Sequence, residues 1–168
     1  MTTTSETANA RTAETPDAAL LARILEEGYG PGAWHGADMK AALADVSPES
    51  AYRRPAPDRH NIAEIALHHA YCVRGVRGRL TGSALEPFVL EGDDWFPLAD
   101  ETFLTWSRVR GTLELEQGRL AQVVSALAAG RVKSPLESAE RFGLVLGVTC
   151  HAVYHAGQIQ LLKRGSGA

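Results

Sequence analysis

The sequence predicts an all-α protein, a four-helix bundle with one long crossover connection. Four stretches repeat apolar residues at three- and four-residue steps, which places them along one face of a helix. No stretch of strand length alternates apolar and polar residues. A long segment at 83–98, interpreted as a loop, separates the second and third of the helical stretches. Helices with one apolar face are stabilised by burying those faces against each other, as in a bundle.

Composition limits the class of protein and its partners. The chain has 168 residues, 45% hydrophobic and 22% charged, which suits one globular domain with a sizeable core. The net charge is -3 and no basic block occurs, so we expect no nucleic-acid partner and no anionic membrane partner. Residues 1–16 are polar and without periodicity, which predicts a flexible tail ahead of a single domain at 17–168. They also lack the apolar segment of a secretory signal, so a cytoplasmic location is expected.

The first long helix is predicted to open at Pro16-Asp17 and to end in the glycine-rich run 28–32. Trp34 and His35 follow in that connection. We expect them to plug the end of the bundle, although loops of this kind also carry sites. A short helix is then predicted with Ser47 as its N-cap and Pro48 in its first turn.

The second long helix is predicted from Asn61, a plausible N-cap, to Leu80. Two adjacent stripes fit its periodicity, one through His69 and one through His68 and Cys72, and the spacing slightly favours His69. In the crossover that follows, Trp95 and Phe96 are expected to anchor the loop on the bundle rather than to contact a ligand.

The third long helix is predicted at about 100–129, with Gly130 as its stop. The fourth is predicted to open with Ser134 as N-cap and Glu137 at the third position, as in a capping box, and to end at Gly165. The two cysteines form no CxxC motif, and both Cys72 and Cys150 are interpreted as buried thiols.

His151 and His155 stand four residues apart in the fourth helix and therefore on one face of it. Their stripe is otherwise apolar, so both imidazoles are predicted to point inward. Such a pair can hold one metal ion, or each ring can hydrogen-bond within the core without an ion. A third imidazole from the second helix, at position 68 or 69, would leave a coordination position open, as in catalytic rather than structural zinc sites.

Two runs of sequence carry a family resemblance. Residues 61–70, NIAEIALHHA, and residues 151–160, HAVYHAGQIQ, resemble the second helix and the C-terminal HxxxHxGQI motif of the DinB-like superfamily. Further features resemble one branch of that superfamily: Trp34-His35-Gly36, His60 and the run 94–97, DWFP. The resemblance covers nearly everything from Leu20 to Arg164.

In that superfamily the metal histidine lies four residues after the glutamate of the "IAE" segment, which here is Glu64. The resemblance therefore implies His68, with a triad of His68, His151 and His155, and zinc or nickel as the ion. It also implies a crossover between the second and third helices, and often a homodimer.

Two positions depart from the family pattern. His69 stands where an apolar residue is usual, and Cys72 stands where an aromatic residue is expected. Cys72 can be a fourth, soft ligand that favours zinc, or a small buried thiol, and we favour the second interpretation. Glu64, one turn before His68, is expected to be an exposed carboxylate, with a general base as the alternative.

Gln158 shares a face with His155 and can orient a ligand imidazole or a metal-bound water. Gln158, Cys72, His69 and Trp95 are therefore candidates for the surroundings of the site. The resemblance implies a metal-dependent enzyme of the thiol S-transferase or hydrolase type, acting on a small molecule such as a low-molecular-weight thiol. Two alternatives remain: a non-catalytic metal- or ligand-binding module of a stress response, and a structural dimer whose histidines are core residues.

Overall fold

The structure is a computed structural model that describes residues 18–165, and every regular element in that range is a helix. The predicted all-α class is confirmed. The tail expected at 1–16, and the predicted opening at Pro16-Asp17, lie outside the described residues. The helices are α1 (Ala18–Tyr29), α2 (Met39–Leu43), α3 (Pro48–Tyr52), α4 (Ile62–Thr81), α5 (Trp106–Ala128) and α6 (Ser138–Arg164).

The four long helices contact each other in a closed ring, in the order α1, α6, α4, α5 and back to α1. The two short helices pack on the outside of this ring, α2 against α6 and α3 against α4. The segment 82–105 is the crossover between α4 and α5. None of the helices between residues 18 and 165 is long and apolar enough to cross a membrane.

Two apolar clusters fill the interior, and the histidines lie where the two meet. On α4, Ala70 belongs to one cluster and Val73 to the other. On α6, Val148 belongs to the second cluster and Ala152 to the first. Because each boundary falls beside His68 or His151, polar side chains in the middle of the bundle separate two apolar regions.

The N-terminus of α4 is fixed by a capping box. The Asn61 side chain accepts from the Glu64 N–H at 2.9 Å, and the Glu64 carboxylate accepts from the Asn61 N–H at 3.3 Å. Glu64 also accepts from the Leu98 N–H at 2.9 Å and is hydrogen-bonded to Arg54 and His60. Its side chain is buried, so the expectation of an exposed carboxylate is wrong. A carboxylate with two backbone N–H partners satisfies helix and loop groups that water does not reach.

Two predicted helix starts are wrong, because nearby side chains cap the helix at a later residue. α5 begins at Trp106 rather than near position 100: the Thr105 side chain accepts from the Arg108 N–H, and Glu101 accepts from the Trp106 N–H. The predicted capping box of Ser134 and Glu137 does not form. The Ser134 hydroxyl accepts instead from the Leu136 N–H at 3.2 Å, which makes a turn.

α6 therefore starts at Ser138, and the Glu137 N–H donates to the Glu140 carboxylate at 3.0 Å.

Two burial predictions also fail. Trp34 is 92% exposed rather than a plug, and its backbone N–H donates to the Glu27 carboxylate of α1 at 2.9 Å. Cys150 is exposed and Cys72 half-buried, so neither is a fully buried thiol.

Candidate metal centre

Three imidazoles from two helices converge in the interior. The Nε2 atom of His151 lies 3.1 Å from Nε2 of His68 and 3.0 Å from Nε2 of His155. His68 comes from α4, and the other two are one turn apart on α6. His68 and His155 are buried, and His151 is half-buried. The contact between α4 and α6 thus brings together the three histidines that the resemblance implies, with ligand atoms all within 4.8 Å of one another.

Each of the three rings has a partner at its other nitrogen. His68 Nδ1 lies 3.1 Å from the Asp94 carbonyl oxygen and 3.0 Å from the Asp94 carboxylate. His155 Nδ1 lies 2.6 Å from the Gln158 side-chain oxygen, and His151 Nδ1 lies 2.8 Å from Nδ1 of His69. Because oxygens are acceptors, we assign the proton of His68 and of His155 to Nδ1. Their Nε2 lone pairs then face the centre of the cluster.

The donor set fits a divalent ion. Lone pairs directed at one point about 3 Å apart repel each other unless a metal ion or a shared proton lies between them. A zinc ion with bonds of 2.0–2.1 Å in tetrahedral geometry separates its ligand nitrogens by about 3.3 Å. The observed separations of 3.0 and 3.1 Å are close to that value. Imidazole suits zinc and nickel among the common metals, and three of them leave room for a further ligand.

Burial favours the neutral forms of His151, His155 and His69. Burial, together with the neighbouring rings of His155 and His68, lowers the pKa of His151 to about 4. Burial also lowers the pKa of His155, with the Gln158 hydrogen bond opposing it, and lowers that of the completely buried His69 well below its usual range. A neutral ring has a free lone pair on one of its two nitrogens, so it can bind a metal only when that nitrogen is the one facing the ion.

A second group of potential ligands shares only His68 with the first. The Cys72 Sγ atom lies 3.8 Å from Nε2 of His68, and the Asp94 carboxylate completes this group. Burial, and to a lesser extent the Asp94 charge, raise the pKa of the Cys72 thiol to about 11. The thiol is therefore protonated at neutral pH in the metal-free protein, and a thiolate ligand would have to lose its proton on binding.

Trp95 lies against the candidate ligand His68 as well as anchoring the crossover. Its ring is parallel to His68 at a centroid distance of 3.9 Å and to His60 at 3.7 Å. Two rings this close to one indole would overlap if they shared a face, so His60 and His68 lie on opposite faces of Trp95. The stack fixes the plane of the His68 ring and covers one of its faces.

Asp94 was not among the residues predicted for the site, although it holds the His68 ring through two oxygens. Its φ of 60° is left-handed, which is uncommon for a residue with a side chain and costs energy. The Tyr71 hydroxyl donates to Asp93 at 2.7 Å and so fixes the same bend of the loop. The two acids before Trp95 are visible in the sequence, but no sequence signal shows that the loop bends at Asp94 and brings its oxygens to His68.

Gln117 on α5 was also missed. It is buried, and its side-chain nitrogen lies 3.0 Å from Nε2 of His69. The inward-facing apolar seam of the third long helix has no member between Leu113 and Leu120, and Gln117 stands at the position one turn after Leu113, where such a member is expected. A polar residue on the inner face of a helix needs a buried partner, and here the partner is His69.

A cleft of about 550 Å³ is lined by one histidine of the triad, His155 on α6. His155 and Gln158 line it on one side, and Trp95 and His60 on the other. Tyr154, 62% exposed, stands at its rim, where its hydroxyl oxygen accepts from the Gln158 amide at 3.0 Å. A small molecule in this cleft would touch His155 and its hydrogen-bond partner.

Comparison with known proteins gives one match. The family model of the DinB superfamily matches residues 32–159, a span that contains all three histidines of the triad and well over half of the chain. Searches of curated proteins and of solved structures return no significant match. The family match is consistent with the all-helical architecture of residues 18–165. The chain therefore belongs to the DinB superfamily.

Proposed function

We propose that this protein is a divalent-metal-dependent enzyme of the thiol S-transferase or hydrolase type, with zinc or nickel held by His68, His151 and His155. The observation that carries the proposal is the convergence of three Nε2 atoms whose rings are each held at Nδ1. Hydrogen-bonded core histidines do not need such convergence, because one donor and one acceptor satisfy each ring. This argues against the interpretation of a purely structural dimer.

The chain's own residues would orient the site and limit the access of water. Asp94 and Gln158 fix the rings of His68 and His155, and Trp95 covers one face of the first. A divalent ion with an open coordination position would lower the pKa of a bound thiol or water and supply a nucleophile at neutral pH. The Tyr154 hydroxyl, whose oxygen accepts from Gln158, brings an O–H donor to the rim of the cleft.

We propose that the substrate is a small molecule, and a low-molecular-weight thiol is the first candidate. The cleft beside His155 has the volume of a site for such molecules, about 550 Å³. We also propose a cytoplasmic homodimer without a nucleic-acid or membrane partner. The outer face of α6 supports the dimer, since it exposes Leu146, Tyr154 and Leu161 in one stripe.

One observation favours a second candidate, a non-catalytic metal- or ligand-binding module. The Cys72 sulfur lies beside His68, at 3.8 Å from Nε2. If that thiol lost its proton and joined the three imidazoles, the ion would have four protein ligands, which is typical of closed structural sites.

The first experiment is a metal analysis of the purified protein by mass spectrometry. About one zinc or nickel per chain is expected, lost in His151→Ala and retained in a matched control, His35→Ala, whose exposed ring lies in the connection after α1. Absence of metal from the wild type, even after incubation with either ion, would overturn the proposal.

A second experiment separates the enzyme from the module. The metal-loaded protein is assayed with thiols plus electrophiles and with ester and amide substrates, and Cys72→Ser is tested beside it. An enzyme with an open position keeps its metal and its turnover in this variant. A closed site loses metal affinity in the variant and shows no turnover in the wild type.

A further inference from the structure

We propose that His69 and Gln117 are positioning residues that set which nitrogen of His151 carries the proton, and so whether His151 can bind a metal. The inference rests on the proposed metal site. It assigns a role to two buried polar residues, His69 on α4 and Gln117 on α5. Gln117 acts on His69, and His69 acts on the ring of His151.

The geometry is a chain of three side chains. His69 is completely buried, and its Nδ1 lies 2.8 Å from Nδ1 of His151. Its Nε2 lies 3.0 Å from the side-chain nitrogen of Gln117, which is also buried. An imidazole has two nitrogens, so these two contacts use the whole hydrogen-bonding capacity of the His69 ring.

A neutral imidazole carries one proton, and this couples the two rings. For His151 to present an Nε2 lone pair, its proton must be on Nδ1 and be donated to Nδ1 of His69. His69 must then carry its proton on Nε2 and donate it to an acceptor. At that position the acceptor can only be the side-chain oxygen of Gln117.

The opposite orientation of the Gln117 amide gives the opposite result. With the amide nitrogen toward His69, as in the structure, Gln117 donates to Nε2 of His69. His69 then donates from Nδ1 to Nδ1 of His151, and the His151 proton lies on Nε2. That proton points at the Nε2 atoms of His68 and His155 and occupies the lone pair that a metal needs.

The two orientations differ by a rotation of about 180° around the last side-chain bond of Gln117, which exchanges oxygen and nitrogen. The metal-competent state is the one with the oxygen toward His69. Loading the site with metal should therefore turn the Gln117 amide, and a residue at position 117 that can only accept should favour loading.

The first test is nitrogen-15 NMR of the full chain saturated with zinc. Long-range proton–nitrogen spectra distinguish the two protonated forms of each ring. We expect the proton of His151 on Nδ1 and that of His69 on Nε2. A proton on Nδ1 of His69 in the zinc-loaded protein would overturn the inference, and a purely structural role of His69 would not fix either form.

The second test measures the affinity for zinc alone by competition with a chromophoric chelator at about pH 8, well above the ordinary pKa of a glutamate. Gln117→Met keeps the length of the side chain without an acceptor, and we expect affinity to fall by roughly 10- to 100-fold. Gln117→Glu can only accept, and we expect affinity equal to that of the wild type or tighter. Equal losses in both variants, or no loss in either, would overturn the inference.

A matched control on the same helix is Val124→Ala, which removes a buried apolar side chain away from the relay. It should lower stability and leave zinc affinity unchanged, so that a loss of affinity through destabilisation alone is recognised. If the wild type binds neither zinc nor nickel, the proposed function fails and this inference with it. If it binds zinc with the wrong protonated forms, only this inference fails.

Discussion

Replacing Glu64 with glutamine hardly changes the shape of the side chain, yet we expect it to lower the stability of the fold substantially. One carboxylate oxygen accepts from Arg54 and the Leu98 N–H, and the other from His60 and the Asn61 N–H. In either orientation, the amide nitrogen of Glu64→Gln would face two donors. One buried backbone N–H would therefore lose its acceptor.

The magnitude follows from these contacts. A buried N–H without an acceptor costs about 1–3 kcal/mol. The charge pair with Arg54, whose side chain is 32% exposed, adds about 1 kcal/mol after allowing for screening by water. We expect Glu64→Gln to lower the free energy of unfolding by about 3 kcal/mol. For a domain of this size, the midpoint temperature should fall by about 6–12 °C.

The assay is urea unfolding followed by tryptophan fluorescence, with a chelator present so that metal binding does not contribute. Glu91→Gln is the matched control, since Glu91 is an exposed carboxylate in the same crossover. A loss of less than about 0.5 kcal/mol in Glu64→Gln, within the usual range for surface substitutions, would refute the reasoning.

The same variant has a defined pH dependence. Burial raises the pKa of Glu64, but hydrogen bonds from the Leu98 N–H, Arg54 and His60 together outweigh burial and leave the pKa below its ordinary value. A group with a lowered pKa in the folded state stabilises the protein above its unfolded pKa, about 4.3, and loses that contribution as pH falls. The difference between wild type and Glu64→Gln should therefore be full at pH 7 and shrink below about pH 4.

Three further predictions concern the metal centre. Asp94→Ala should weaken zinc affinity by roughly 10- to 100-fold, measured by chelator competition, whereas Glu91→Ala, which removes an exposed carboxylate of the same crossover, should leave it nearly unchanged. Zinc should change the tryptophan emission of the wild type, because Trp95 stacks on His68, and the change should be absent in Trp95→Phe. Chelation should lower the unfolding temperature of the metal-loaded wild type and have no effect on His151→Ala, since an ion at 1,000 times its dissociation constant stabilises by about 4 kcal/mol. Equal chelator sensitivity in both proteins would contradict the assignment of His151 as a ligand.

Local signals in the sequence are sufficient to predict where some of the helices begin. Asn61 is followed three residues later by Glu64, and the α4 start predicted from it agrees with the structure. Ser134 and Glu137 show a similar pattern, yet α6 starts at Ser138. The difference is tertiary: at Asn61 the side-chain amide also donates to the carbonyls of Tyr52 and Leu98, and the Ser134 hydroxyl serves only a local turn.

The choice between His68 and His69 shows a second limit. Periodicity alone slightly favoured His69, and the family resemblance implied His68. The structure brings both rings to His151, through Nε2 of His68 and Nδ1 of His69. Adjacent residues on a helix are about 100° apart, so spacing along α4 cannot say which of them faces α6 more directly. That depends on how α4 is rotated against its neighbours, which only the packing of the whole bundle decides.

The crossover contacts both the N-terminal end of α4 and the candidate metal centre, so a change at one affects the other. Glu64 and His68 are one helical turn apart on α4, and their loop partners Leu98 and Asp94 are also four residues apart. The loop therefore runs alongside the first turns of this helix and is held at both ends of the segment 94–98. Because Trp95 lies within that segment, releasing the Leu98 N–H from Glu64 removes one of the hydrogen bonds that hold the loop, and with it the indole, beside α4. Glu64 lies outside the triad, yet the ring orientation of His68 depends on it through the loop.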